Sequence, residues 1–236
     1  MLDSKDFQEK RAEIISKLHL IHGSIDQEVP EQFMSVMFIK PDDVVLEIGG
    51  NVGRNSCVIA SLLNDSRNQV TVESCAEHAH KLAENRDRNG LHFNIEDSAI
   101  SSMKMYQIRD NTRQVCDILP GDLHYWTEVK TISFPDLKAK YNLNFNTIVA
   151  DCEGALYFIL RDYPGVMAGI DKVIIENDFE NPAHKEYVDT MFSVCGLKRV
   201  YVKGAECCRG RTDGLLCDWC NWAIYRDNFY EVWSRE

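Results

Sequence analysis

Apolar runs of strand length alternate with amphipathic stretches of helical period along most of this chain, and that alternation leaves few architectures open. Val44-Val45-Leu46-Glu47-Ile48 reads as the first buried strand, and glycines with Asn51 lead from it into a helix over 54–63. Residues 69–73 form a second strand, 75–89 an amphipathic helix with Ala79, Leu82 and Ala83 on one face, and 91–95 a third strand. After shorter strands over 103–109 and 128–133, the runs 145–150 and 171–176 are each followed by a helix, over 153–160 and 183–194. Such an order predicts an α/β fold, a mostly parallel sheet with helices on both faces. The end of the chain departs from it: 197–202 and 219–225 are strand-like with no helix between them, which predicts a hairpin-like antiparallel pair closing the sheet. Helices over 4–21 and 31–39 come before the first strand. The expected division is therefore a helical N-terminal extension, 1–41, and one large domain, 42–236.

The segment Leu46-Glu47-Ile48-Gly49-Gly50-Asn51-Val52-Gly53-Arg54-Asn55 carries the most chemistry. A glycine turn at the carboxyl end of the first strand lets a ligand approach the backbone, in the region where open α/β sheets bind their ligands. The dinucleotide fingerprint fails, because Asn51 and Arg54 stand where it needs glycine, and no Gly-Lys-Ser/Thr follows for a P-loop. Glu47 beside the turn repels a pyrophosphate and suits an ammonium or sulfonium group, which points to an aminoacyl nucleoside. Glu73 ends the second strand twenty residues beyond Gly53, about where a ribose-binding carboxylate sits in nucleoside-binding α/β folds. Asp97 and Ser98 follow the third strand and are placed to receive an adenine edge.

These residues resemble the FkbM-type S-adenosylmethionine-dependent methyltransferases. That family's Asp-Val-Gly-Ala-Asn-Ile-Gly motif is matched here by Glu47-Ile48-Gly49-Gly50-Asn51-Val52-Gly53, and its Leu-x-x-Asn-x-x-x-Asn pattern by Leu82, Asn85 and Asn89. Asp151-Cys152-Glu153-Gly154-Ala155 is similar to its Asp-x-Glu-Gly-Ala signature, and a strand ending in Glu176 follows. Ser74 replaces the usual proline after the ribose acid, and Leu156 replaces a second glutamate. The resemblance spans roughly 42–200 and implies a seven-stranded class I methyltransferase (Rossmann-like) sheet with a terminal antiparallel hairpin. It also implies S-adenosylmethionine as cofactor, held by Glu47, Gly49, Gly50, Asn51, Gly53, Glu73, Ser74, Asp97, Ser98 and Asp151, and O-methylation of a hydroxyl on a sugar or secondary metabolite.

Methyl transfer from a sulfonium is an in-line displacement, so alignment and exclusion of water supply much of the rate, and a hydroxyl acceptor gains from a general base. Asp151, Glu153 and Glu176, at the ends of two successive strands, are the candidate catalytic residues. At a helix start Glu153 has a second reading, as an acid stabilising exposed amides. His124 and His184 are alternative bases, whereas His78 and His80 read as solvated on their helix. Hard oxygen ligands at Asp151, Glu176 and Asn177 suit a divalent metal, but sequence does not show that they converge, and no metal is assigned. Cys57, Cys75, Cys116, Cys152 and Cys195 read as reduced thiols. The Cys207-Cys208 and Cys217-x-x-Cys220 cluster is too closely spaced for an ordinary zinc site and favours reduced thiols or a redox pair. Phe33, Met34, Met37 and Phe38 read as the packing face of a short helix.

Composition narrows the partners. With 26 Lys+Arg against 37 Asp+Glu, a net charge of −11, and no basic cluster, the chain is poorly suited to phosphate backbones or anionic membranes. No run of 18 apolar residues is present, and the N-terminus carries charges where a signal peptide is apolar. The expectation is a cytoplasmic enzyme whose partner is a small-molecule or glycan acceptor, with no nucleic acid and no membrane. Two other readings stay open: an inert nucleoside-binding module on a methyltransferase fold, and a nicotinamide-dependent oxidoreductase, which the failed fingerprint disfavours.

Overall fold

Strand β1 (Val45–Ile48) is buried at all four positions, as its unbroken apolar run requires of a strand covered on both faces. This computed structural model describes residues 5–108, 111–114, 122–204 and 226–235. Helices α1 (Lys5–Lys17) and α2 (Val29–Phe38) precede β1, and α3 (Arg54–Leu62), β2 (Gln69–Glu73), α4 (Ala76–Arg88) and β3 (Asn94–Asp97) follow it. The third strand thus begins three residues later than the apolar run suggested, and Phe93 is fully packed just ahead of it. Short strands β4 (Ala99–Ile100), β5 (Met105–Ile108), β6 (Asn111–Gln114), β7 (Thr127–Val129) and β8 (Thr131–Ile132) come next. The chain then runs through α5 (Phe134–Tyr141), β9 (Thr147–Ala150), α6 (Ala155–Asp162), β10 (Lys172–Glu176), α7 (Pro182–Val194), β11 (Lys198–Lys203) and β12 (Tyr230–Ser234).

Helix α5 is not among the helices that apolar spacing predicts, because it buries only Phe134 and Leu137. Its signal is local: the Ser133 hydroxyl accepts the Asp136 N–H at 3.2 Å, Pro135 fits the first turn, and Asn142 ends the helix in a left-handed conformation.

Seven strands form one sheet in the order β3-β2-β1-β9-β10-β12-β11. All neighbours are parallel except β12, which runs antiparallel to both β10 and β11. This is a mostly parallel, Rossmann-like sheet with a reversed strand near its end. The reversed strand is Tyr230–Ser234; the expected strand at 219–225 lies outside the described residues.

The sheet separates two apolar layers. Leu46 and Ile48 face the layer built with α5, α6 and α7, where Leu137, Leu160, Val188 and Phe192 are fully buried. Val45 faces the opposite layer, where α2 and α3 contribute Met34, Val36, Val58 and Ile59. Phe7, Ile14 and Leu18 of the N-terminal segment pack on this second layer, as do Met37 and Phe38. Asn85 and Asn89 tie that segment down. Asn85 Oδ1 accepts the N–H of Ile21 at 2.6 Å while its Nδ2 donates to the carbonyl of Val52 at 2.7 Å, and Asn89 Oδ1 accepts the N–H of His19 at 2.8 Å. The spaced asparagines on α4 are thus structural, joining 19–22 to the glycine turn. Among the described residues, no helix is long and apolar enough to cross a membrane.

Candidate functional site

Strand order reverses at β1, whose neighbours β2 and β9 are each followed by a connection leading away from the other, so a crevice opens over the carboxyl ends. A cleft of about 230 Å³ occupies it. Its floor is Gly49 and Asn51 after β1, Glu73 and Ser74 after β2, Ser98 after β3, and Asp151 with Glu153 after β9. Seven of the residues singled out in the sequence therefore meet in one place. Met105 and Gln107 of β5, with Phe158 and Asp162 of α6, form the rim.

The glycine turn is shaped chiefly by its own packing. Gly49 has φ +91°, and a Cβ there would lie 1.6 Å from the carbonyl oxygen of Asp151, so no other residue lets the turns after β1 and β9 meet. Gly50 and Gly53 do not line the cleft. A Cβ on Gly50 would stand 2.3 Å from Thr71 Cγ2, and one on Gly53 2.4 Å from Leu82 Cδ1, so these positions serve the seating of the turn on β2 and α4.

Glu73 braces the floor. Its Oε2 accepts the Asn51 N–H and its Oε1 the Cys75 N–H, each at 2.7 Å. Asn51 itself is left-handed, with φ 47°. Glu153 is left-handed too, with φ 51°, a conformation that a non-glycine residue holds only when its surroundings impose it. Gly154, not Glu153, occupies the cap position of α6.

Three expected acids also stand outside the cleft. Glu47 is 3% exposed, and its carboxylate accepts hydrogen bonds from Thr71 Oγ1 at 2.7 Å and Gln69 Nε2 at 3.2 Å, between β1 and β2 on the α3 face. The side chain alternates with Ile48, which does line the cleft, so a one-position offset along β1 turns the acid to the other face. Asp97 pairs with Lys130 instead of facing an adenine edge. Glu176 lines a smaller neighbouring cavity that shares Asp151 with the cleft. Asn177 is turned away as well, its Nδ2 donating to the carbonyl of Asn228 at 2.7 Å.

The histidines also redistribute. His124 is exposed against Tyr125, and His184 stacks on Tyr157 at 3.7 Å, where burial lowers its proton affinity; neither lines the cleft. His78, expected to be solvated, is half-buried and lines it, while His80 is exposed. Facing inward from the first turn of α4 needs no apolar neighbour, so the hydrophobic pattern carried no sign of it. Cys57, Cys75, Cys152 and Cys195 are free thiols; Cys116, Cys207, Cys208, Cys217 and Cys220 lie outside the described residues.

Asp151 concentrates the electrostatics of the site. Burial raises its proton affinity well above that of an ordinary aspartate, and Asp178, Glu31, Glu28 and Glu153 push the same way. Glu176 is raised by burial, by Asp151 and Asp178, and by a hydrogen bond with Glu31.

No protein-family profile matches the sequence, and no curated protein does. Among solved structures, a candidate O-methyltransferase from Klebsiella pneumoniae aligns with 98% of this chain and 90% of its own, at 13% identity and a TM-score of 0.49. An O-methyltransferase from Bacillus cereus in complex with S-adenosylhomocysteine aligns with 99% of this chain and 91% of its own, at 13% identity and a TM-score of 0.47. Fibrillarin from Aeropyrum pernix, with natively bound S-adenosylmethionine, covers 89% of this chain and 75% of its own, at 10% identity and 0.46. Likenesses this distant assign neither activity nor site residues, which rest on the geometry of the chain itself.

Proposed function

We propose that this chain is an S-adenosylmethionine-dependent methyltransferase of the FkbM type, acting on a hydroxyl of a small molecule or glycan. The charge of the cleft carries the reading. Among the described residues, four acids (Glu73, Asp151, Glu153 and Asp162) line it and no lysine or arginine does. Such walls repel the pyrophosphate of a dinucleotide and favour a nucleoside that carries a sulfonium and an ammonium group.

When bound, S-adenosylmethionine supplies a methyl group activated on a cationic sulfur. A carboxylate has about four lone-pair sites, so Glu73 can accept ribose hydroxyls beside its two backbone N–H groups. Gly49 gives the backbone approach that the amino-acid portion needs, and Ser98 and Ile100 flank the base. Met105, Gln107 and Phe158 on the rim exclude water from the reacting centre. Asp151, its proton affinity raised by burial and neighbouring acids, orients the acceptor hydroxyl and takes its proton. Glu153, held left-handed beside it, lines the acceptor end.

Parallel calorimetric titrations with S-adenosylhomocysteine and with NAD test the cofactor. Binding of the homocysteine compound alone is expected, and binding of NAD alone refutes the proposal. Mass-spectrometric detection of a methylated hydroxyl then separates an enzyme from an inert nucleoside-binding module.

A further inference from the structure

On the far side of Asp151 from the cleft lies a second, smaller cavity. The first turn of α2 brings Glu31 over the carboxyl ends of β9 and β10, and carboxylate oxygens of Glu31, Asp151 and Glu176 come within 4.8 Å of one another. The cavity measures about 10 Å³, room for one water molecule or one ion and for no organic group. Glu28 also lines it but is answered by Arg54, Nη1 to Oε1 at 2.5 Å. Among the described residues no lysine or arginine answers Glu31: the residue is 7% exposed, and its Oε2 is buried with no hydrogen-bond donor among them. A buried, unsatisfied carboxylate oxygen facing two further acids is costly, and three acids crowded together are best satisfied by a cation that answers all of them at once.

We propose that Glu31, Asp151 and Glu176 bind one hard divalent cation, of the class Mg²⁺, Mn²⁺ or Ca²⁺. Oxygen-only ligation suits these ions. Metal–oxygen distances of roughly 2.1 Å for Mg²⁺ and 2.4 Å for Ca²⁺ put opposite ligands about 4.2 to 4.8 Å apart, and the three carboxylates, within 4.8 Å of one another, are close enough to share one ion. The size of the cavity excludes the ammonium group of an amine acceptor. Sharing Asp151, the ion would fix one wall of the cleft and pin α2 to the top of the sheet. The ligand from α2 lies 120 residues before Asp151 in sequence, which is why a metal set read from the strand ends alone was incomplete.

The inference does not depend on methyl transfer and is tested with no nucleoside present. The full chain is stripped with a chelator and titrated calorimetrically with MgCl₂, MnCl₂ and CaCl₂ separately, and Mn²⁺ is also followed by electron paramagnetic resonance. One ion per chain is expected, with at least tenfold weaker binding in Glu31→Gln and Glu176→Gln and no change in Glu186→Gln, an exposed control on α7. Circular dichroism and thermal melting establish that each variant is folded, and S-adenosylhomocysteine titration of the same samples keeps the two readings apart. No binding of any of the three ions to wild type at millimolar concentration overturns the proposal, and so does equal binding by Glu31→Gln and Glu186→Gln.

Discussion

Two buried groups of charges, on the two faces of the sheet near the carboxyl end of β10, are built on opposite rules. Where α7 meets β12, Glu231 is fully buried and Lys185 nearly so, yet every charge is answered: Lys185 Nζ lies 2.9 Å from Glu231 Oε2, Arg199 Nη1 2.9 Å from Oε1, and Trp233 and Asn228 donate to the same carboxylate. Burial by itself would raise the Glu231 carboxyl, but Lys185 and those donors bring it below its ordinary range. At the carboxyl ends of β9 and β10, burial and neighbouring acids raise Asp151, Glu176 and Asp178 toward protonation beside Glu31, and among the described residues no lysine or arginine pairs with these four acids. Charges buried for stability arrive with their partners. Acids buried without them wait for a ligand, and here they gather at the switch point.

The sharpest way to break this contrast is to remove one member of the satisfied group. Glu231→Ala leaves the Lys185 ammonium buried with Asp189 as its remaining partner, and loss of one partner from a buried pair costs about 3–5 kcal/mol. Urea unfolding should show a loss of that size, while Glu176→Gln on the other face should leave stability unchanged or raised in the absence of metal. Equal losses at both sites would mean that the two groups play the same role.

Glu47 gives the next largest effect, with a dependence on pH. Burial raises its carboxyl from 4.5 to about 7, against the hydrogen bonds that favour its charged form. The folded state therefore holds the proton more tightly than the unfolded chain, so this group's contribution to stability is full below pH 4.5 and is lost as pH rises through about 7. Glu47→Gln should stabilise the protein at pH 8, by up to about 3 kcal/mol at 1.36 kcal/mol per pH unit, and much less at pH 4. An advantage of equal size at pH 4 and pH 8 would show that ionisation of Glu47 is not its source.

How much of this was legible in the sequence follows from what periodicity encodes. The central strands were readable because burial on both faces demands unbroken apolar runs, as in Val45–Ile48 and Lys172–Glu176. The cleft was half readable: a residue at a strand end is easily located, but which face it takes depends on register, so Ile48 and Glu73 point into the cleft while Glu47 does not. The rim from β5 and the inward turn of His78 depend on tertiary placement. The contribution of Glu31 was invisible for the same reason, since a polar position in the first turn of a helix looks identical whether it meets solvent or the buried ends of a sheet.

At the cleft itself the contrast predicts loss of ligand affinity in place of loss of fold. Glu73→Ala removes the proposed ribose acceptor, and S-adenosylhomocysteine should bind at least tenfold more weakly, about 1.4 kcal/mol. It also frees the Asn51 and Cys75 N–H groups, so melting is measured beside the titration. Unchanged affinity in a folded variant would end the ribose role and leave Glu73 as a brace of the turn.

Asp97 should give the smallest effect, and it tests whether position at a strand end is enough to make a binding residue. It ends β3 in the same way that Glu73 ends β2, yet its carboxylate is a third exposed and paired with Lys130, a residue that is itself 72% exposed. Exposed pairs of this kind contribute about 0.2–1 kcal/mol. Asp97→Asn should therefore leave S-adenosylhomocysteine affinity within twofold and change stability by less than about 0.5 kcal/mol. A tenfold loss of affinity would bring Asp97 back to the adenine edge and require the Lys130 pair to open when the nucleoside binds. Lys130→Ala distinguishes the two cases, because breaking the pair from its other side should raise affinity if Asp97 must be released and should do nothing if the pair is only a surface contact.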